Sequence, residues 1–284
     1  MVCDQARILL VTADDFGLCA SVTDGILDAH RHGIVRATSL FAVGEDAERA
    51  AALAQSQLEL SVGVHLALVD GRPLSPAAAV DSLVDAEGRF ANNYVDFLRR
   101  YLSRHIKLPQ IYQEWRAQIE KTRALGIAPS HLDSHQHLHL LPGIFEIAVR
   151  LCEEFGIPRL RVPICESSTG VIDWTSYARL GSAALQLLSW RAQRALVEKP
   201  AIRTCQRFLG RKESCRLSQD ALLMLIDKVR AGTQELMCHP GQPDARARER
   251  HAFGDNWGVE LHALKSAAVR QRIAERGIVL VGAL

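Results

Sequence analysis

Short apolar, β-branched runs alternate along this chain with longer segments whose apolar positions recur every three or four residues. Such alternation marks βα units built around a parallel sheet or barrel. The first unit begins with Ile8 to Thr12 as a buried strand. It continues into a helix that Ser21 can cap, with Val22, Ile26 and Ala29 on one face and Gly33 as its stop. Ala37 to Val43, Ser61 to Val64, Ser130 to Asp133, Arg159 to Val162, Glu235 to Cys238 and Ile278 to Val281 read as further strands. Pro109 opens a helix carrying Ile111, Trp115 and Ile119 and closed by Gly126, and Pro142 to Gly156 repeats the arrangement.

This rhythm predicts an α/β fold, a (β/α) barrel variant that is TIM-like but seven-stranded or distorted. Residues 1–284 are expected to form one barrel domain. Within it, residues 165–230 offer helical patterns without a convincing strand and read as a helical insertion or subdomain. Leu68 to Phe90 reads as a long loop, and such loops in compact domains are usually functional or disordered.

Composition narrows the function classes. The 34 basic and 32 acidic residues leave a net charge of +2, too weak a field to suggest nucleic acid. No run approaches the roughly 18 to 20 apolar residues that span a bilayer, and Ile8 to Val11 is too short for a signal-peptide core. The expected location is the cytoplasm, at most at the inner face of the membrane. Seven scattered cysteines with no CxxC pair read as reduced thiols.

The candidate chemistry lies where the strands end. Asp14 and Asp15 follow the first strand, His65 ends the one from Ser61, His135 follows Asp133, Arg161 lies in the Arg159 strand, and His239 follows Cys238. In a parallel barrel these ends share one face, where side chains from distant parts of the sequence converge. Two adjacent carboxylates can divide the labour, one binding a cation and one accepting a proton; an N-cap or a solvated turn is the plain alternative. His131, Asp133, His135, His137 and His139 form an H-x-D-x-H-x-H-x-H cluster, which period-two spacing would put on one side of an extended segment. Neutral imidazoles with a carboxylate suit a divalent ion, although spacing does not say which histidine is the ligand. His65, between Val64 and Leu66, reads as a satisfied core residue or, with Asp15 and one histidine of the cluster, as part of a metal triad.

Four segments together carry a resemblance: T-A-D-D-F-G at 12–17, G-V-H-L at 63–66, H-L-D-S-H-Q-H-L-H at 131–139 and M-C-H-P-G at 237–241. Their order, over nearly the full length, resembles the YdjC/ChbG carbohydrate deacetylases. The resemblance implies hydrolysis of N-acetyl groups on sugars with one divalent ion, Mg²⁺ or Zn²⁺, with Mn²⁺ or Co²⁺ also compatible. It places the metal ligands on Asp15, His65 and His135, the catalytic base on Asp14, the general acid on His239, and on Arg161 the task of orienting Asp14. Some relatives have a third consecutive histidine where this chain has Gln136. The loop segments L-V-D-G-R-P at 68–73 and D-A-E-G-R-F at 85–90 resemble the hopanoid biosynthesis-associated branch, which implies an N-acetylglucosaminyl hopanoid as substrate.

The expected partner is thus an N-acetylated sugar or glycolipid, without nucleic acid. Two rival readings stand beside it: a metal-dependent phosphoesterase, and a non-catalytic sugar- or lipid-binding barrel. Leu180 to Val197, with Arg191 and Arg194, reads as a packed helix or as an amphipathic one in peripheral contact with a membrane. Arg246 to Arg250 reads as a solvated loop. The oligomeric state is open, a homodimer being one outcome.

Overall fold

The computed structural model describes residues 6–164, 178–214, 216–244 and 256–284. Its centre is β1 (Arg7–Phe16), in which every residue from Leu9 onward is buried. A strand covered on both faces reads as a continuous apolar run rather than an alternating one, which is why Ile8 to Val11 is legible as core.

Around β1 stand β2 (Ala37–Leu40), β3 (Ser61–Leu66), β4 (Leu132–Ser134), β5 (Arg207–Leu209), β6 (Gly232–Cys238) and β7 (Ile278–Val281). All pair in parallel, in the order β4-β3-β2-β1-β6-β5 with β7 on β1. β6 follows β1 from Arg7 to Ala13, while β7 takes Arg7 to Leu10 and β2 takes Thr12 to Phe16.

The result is a parallel-strand half-barrel. The expected strand at Arg159 to Val162 is absent: single bridges join Leu132 to Leu160 and Arg159 to Arg203. Pro158 and Pro163 bracket the segment and have no N–H to give a ladder. Conversely, residues 165–230 were expected to hold no strand, yet they contain β5, whose three residues are too few to show a period. Residues 165–177 of that region, and Arg246 to Arg250, lie outside the described residues.

The helices largely follow the apolar period. Those between strands are α1 (Ala20–His32), α2 (Ala47–Ala54), α3 (Tyr94–Leu102), α4 (Leu108–Ala124), α5 (Ile144–Phe155), α6 (Ala178–Leu196) and α7 (Gln219–Asp227). α8 (Trp257–Leu264) and α9 (Ala267–Glu275) precede β7. Pro109 lies in the first turn of α4, and Gly156 closes α5 in the left-handed conformation at φ +62°. The cap of α1 is Cys19 rather than Ser21, whose hydroxyl meets the Cys19 thiol at 3.2 Å.

The long loop after β3 is built, not loose. Gln118 of α4 bonds both the N–H and the carbonyl of Ala67, at 2.8 and 3.0 Å. Glu114, fully buried one turn earlier, accepts the N–H groups of Leu74 and Ser75 at 3.0 and 2.9 Å. A buried backbone needs such partners, and α4 supplies them. On α6, Leu185 and Leu188 pack on the core while Leu187 and Trp190 are exposed. No helix among the described residues is long and apolar enough to cross a membrane.

Candidate active site

The site begins with a fault in a ladder. Ala13 pairs with Thr38 and Phe16 with Leu40, so one extra residue of β1 must fit against β2. Such a bulge re-aims side chains. Here it holds Asp14 and Asp15, and Asp15 takes φ of +67°, a left-handed value that non-glycine residues adopt at a cost. Neighbours that a regular strand would send to opposite faces both reach buried partners in the same polar cluster, Asp14 meeting Arg161 and Asp15 meeting His65.

Asp15 Oδ1 lies 2.9 Å from His135 Nδ1 and 3.3 Å from His65 Nε2, and the two nitrogens are 3.3 Å apart. β1, β3 and the turn after β4 each contribute one of the three atoms. Oδ1 of Asp15 is nevertheless a buried oxygen with no aligned hydrogen-bond donor. A divalent ion at about 2.0–2.2 Å from oxygen and nitrogen ligands holds those atoms roughly 3 to 3.4 Å from one another. The residues therefore fit such an ion, which Asp15, His65 and His135 would hold.

The support behind His65 favours the same use. Its Nδ1 lies 2.7 Å from Asp133 Oδ1 and 3.1 Å from Ser39 Oγ. A histidine that donates Nδ1–H to a carboxylate keeps Nε2 for a metal. Burial works against a charge on His65, but Asp133 and Asp15 outweigh it and lift the imidazole to about 10. Burial likewise opposes the Asp15 carboxylate, and His135 and His65 reverse this, holding it well below the usual range. A cation bound there replaces the proton they share.

Asp14 faces a different partner. Arg161 Nη1 and Nη2 donate to its two oxygens at 2.7 and 2.8 Å, the fork that only arginine offers. The same guanidinium reaches Asp133 Oδ2 at 2.9 Å and Glu235 Oε1 at 3.0 Å. Burial penalises its charge, yet Asp133, Asp14 and Glu235 hold its pKa well above the ordinary value. Arg159 in turn donates to Glu235 Oε2 at 3.0 Å.

The histidine cluster divides by role, because it is not extended. β4 stops at Ser134, and the chain turns tightly through His135–Leu140 with Gln136 and His137 both at φ +56°. His139 braces the turn, its Nδ1 at 2.6 Å from Ser134 Oγ and its Nε2 at 2.8 Å from the Arg161 carbonyl. Burial lowers its pKa to about 4, leaving it neutral. His131 is neutral for the same first reason, at about 3, and its ring lies against Gly63 where a Cβ would meet it at 2.5 Å. His137, half-buried, lies against His139 and Phe208 with its Nδ1 buried and unpaired. Gln136 accepts the N–H of Tyr94 at 2.7 Å and so anchors the start of α3.

His239 follows Cys238, whose register partner is Ala13, so it stands level with Asp14. Its backbone N–H is held by the buried Glu260 at 2.6 Å and its ring Nδ1 is buried without a partner. Among the described residues no hydrogen bond or ion pair joins that ring to Asp14 or Asp15. The structure thus joins Asp15, His65 and His135 in one group and Asp14 with Arg161 in another, with His239 beside them. Sequence reasoning passed over Ser39, Arg159, Glu235 and Glu260. The legible signal for Glu235 was an acidic residue in the middle of a buried strand.

A family model described as "YdjC-like protein" matches residues 8–275. A mouse protein named carbohydrate deacetylase is 32% identical, covering 96% of this chain and 92% of its own. One of that name from Geobacillus stearothermophilus is also 32% identical, over 97% of this chain and 96% of its own. A Serratia marcescens chitooligosaccharide deacetylase is 29% identical over 96% and 97%. Among solved structures, an Enterococcus faecalis protein described provisionally as one for cellobiose-phosphate cleavage superposes with a TM-score of 0.78 at 28% identity, covering 97% of both chains. By sequence over nearly its whole length, the chain belongs to the YdjC-like protein family.

Proposed function

We propose that this chain is a metal-dependent carbohydrate N-deacetylase, which hydrolyses the acetamide of an N-acetylglucosamine-type sugar to acetate and a free amino sugar. The observation that carries the reading is the meeting of Asp15 Oδ1, His65 Nε2 and His135 Nδ1 within 3.3 Å of one another. The deacetylase relatives point to the same reaction. Charge supports the cation. With the imidazoles neutral, as ligation requires, the carboxylates of Asp14, Asp15, Asp133 and Glu235 face the guanidinium groups of Arg159 and Arg161, and a divalent ion makes up the difference.

An ion held by Asp15, His65 and His135 supplies Lewis-acid polarisation of the acetyl carbonyl and a water of lowered pKa. Asp14 takes the proton of the attacking water, its lone pairs aimed by the Arg161 fork. His239, protonated, gives a proton to the departing nitrogen, without which an amine is a poor leaving group. Glu260 fixes the backbone from which that imidazole projects. Mg²⁺, Zn²⁺, Mn²⁺ and Co²⁺ all suit a mixed aspartate and histidine set.

For the acceptor, the loop segments at 68–73 and 85–90 favour an N-acetylglucosaminyl hopanoid, acted on by a cytoplasmic enzyme at the membrane face. The exposed Leu187 and Trp190 beside Arg191 on α6 suit contact with such a lipid. Residues 1–284 act as one domain in this reading, 165–230 forming its variable part. The test is acetate release from N-acetylglucosaminyl lipids and from chitooligosaccharides, with chelated and metal-loaded protein and with phosphate release monitored in parallel. Acetate release that depends on metal is expected; full activity after thorough chelation overturns the metal role, and preference for the soluble oligosaccharide overturns the lipid acceptor.

A further inference from the structure

Glu235 lies in the middle of β6, 1% exposed, in a strand otherwise lined by buried neutral residues from Gln234 to Cys238. A buried carboxylate is expensive unless paired. Burial raises its pKa, but Arg159 and Arg161 overcome this and hold it near 2, so it is charged at any working pH. What the charge accomplishes follows from the way Arg161 is shared.

A guanidinium offers two forks. Arg161 turns its terminal fork, Nη1 and Nη2, to Asp14 and its side edge, Nε and Nη2, to Glu235 Oε1, both at 3.0 Å. Carboxylates on two edges, with Asp133 at Nη2 2.9 Å away as a third, fix both the plane of the group and its rotation in that plane. Glu235 is itself held at its second oxygen by Arg159. With Glu235 neutral, Nε loses its ionic partner, and Arg161 can turn its side edge to Asp14, an equally good bidentate arrangement that moves the carboxylate.

We infer that Glu235 is a positioning residue for the proposed base, setting the direction of the Asp14 lone pairs through Arg161, with Arg159 as its own anchor. The inference rests on the reading of Asp14 as base. It places a determinant of turnover on β6, four residues before His239, which follows the strand, with no contact to substrate required.

A double-mutant cycle tests it, with acetate release from an N-acetylated chitooligosaccharide and Zn²⁺ affinity by calorimetry as readouts. Glu235→Gln is expected to lower kcat about 10- to 100-fold, the usual cost of losing a group that orients a functional side chain, with KM and Zn²⁺ affinity unchanged. In an Asp14→Asn background the same substitution is expected to cost nothing further, since coupled residues are not additive. If Glu235→Gln fails to fold, Arg159→Met releases the other end of Glu235, and its loss of kcat is also expected to vanish in the Asp14→Asn background. Losses that multiply with Asp14→Asn overturn the role of Glu235, as does a fall in Zn²⁺ affinity that parallels kcat. Normal turnover by Asp14→Asn alone overturns the role of Asp14 instead.

Discussion

Arg161 and Asp14, 147 residues apart, meet through two hydrogen bonds of 2.7 and 2.8 Å with both side chains buried. Lysine keeps the charge but offers one point where arginine offers a fork. Arg161→Lys is therefore expected to lower kcat about 10- to 100-fold with KM little changed. Arg161→Met leaves Asp14, Asp133 and Glu235 without a shared cation and is expected to cost about 3–5 kcal/mol, read from the denaturant midpoint.

The two adjacent aspartates should separate by experiment. Asp15→Asn and His65→Ala are each expected to abolish binding of the ion, measured by calorimetry. Asp14→Asn is expected to bind it normally while losing about 10²- to 10⁴-fold in turnover. Equal metal loss in all three variants would contradict the division of labour.

Gly63 offers a purely steric test. A methyl group there meets the His131 ring at 2.5 Å, in the strand that carries His65 two residues later. Gly63→Ala is expected to cost about 1–3 kcal/mol as overpacking and to weaken metal binding, because β3 must shift to relieve the clash. Thermal melting and metal titration read the two effects.

The neutral histidines give a pH signature. His131 and His139 are lowered from 6.5 to about 3 and about 4, burial being the first cause of each. Below pH 6.5 the unfolded chain binds protons that the folded chain refuses, so stability falls as pH drops from 6.5 toward 4. His139→Asn is expected to flatten that slope by about one proton in metal-free protein. An unchanged slope in denaturant titrations at several pH values would count against a neutral, bracing His139.

Much of this was legible in the sequence where the signal was local. β1, β3 and β6 announce themselves by apolar stretches, and a residue that the site uses lies at or just past the end of each: Asp15, His65 and His239. What was hidden is geometric. The H-x-D-x-H-x-H-x-H spacing suggested one extended face, whereas two left-handed residues after His135 turn the chain, so that His135 meets Asp15 while His139 meets Ser134 and the Arg161 carbonyl. The bulge at Asp14 and Asp15 has no residue-type signature, since it depends on the register of β2. Glu235 and Arg159 become partners only because β6 and the segment after α5 face each other across the interior.

The segment from Pro158 to Ile164 joins its neighbours through a few single bonds, with a proline on either side of its centre. It is the seam of the wall, and the stitches that draw it shut are ionic: Arg159 and Arg161 project from it to acids on the opposite strands. Whatever neutralises those acids unfastens the seam, so amide exchange at Leu160 and Arg161 should quicken well before the strands around β1 begin to open.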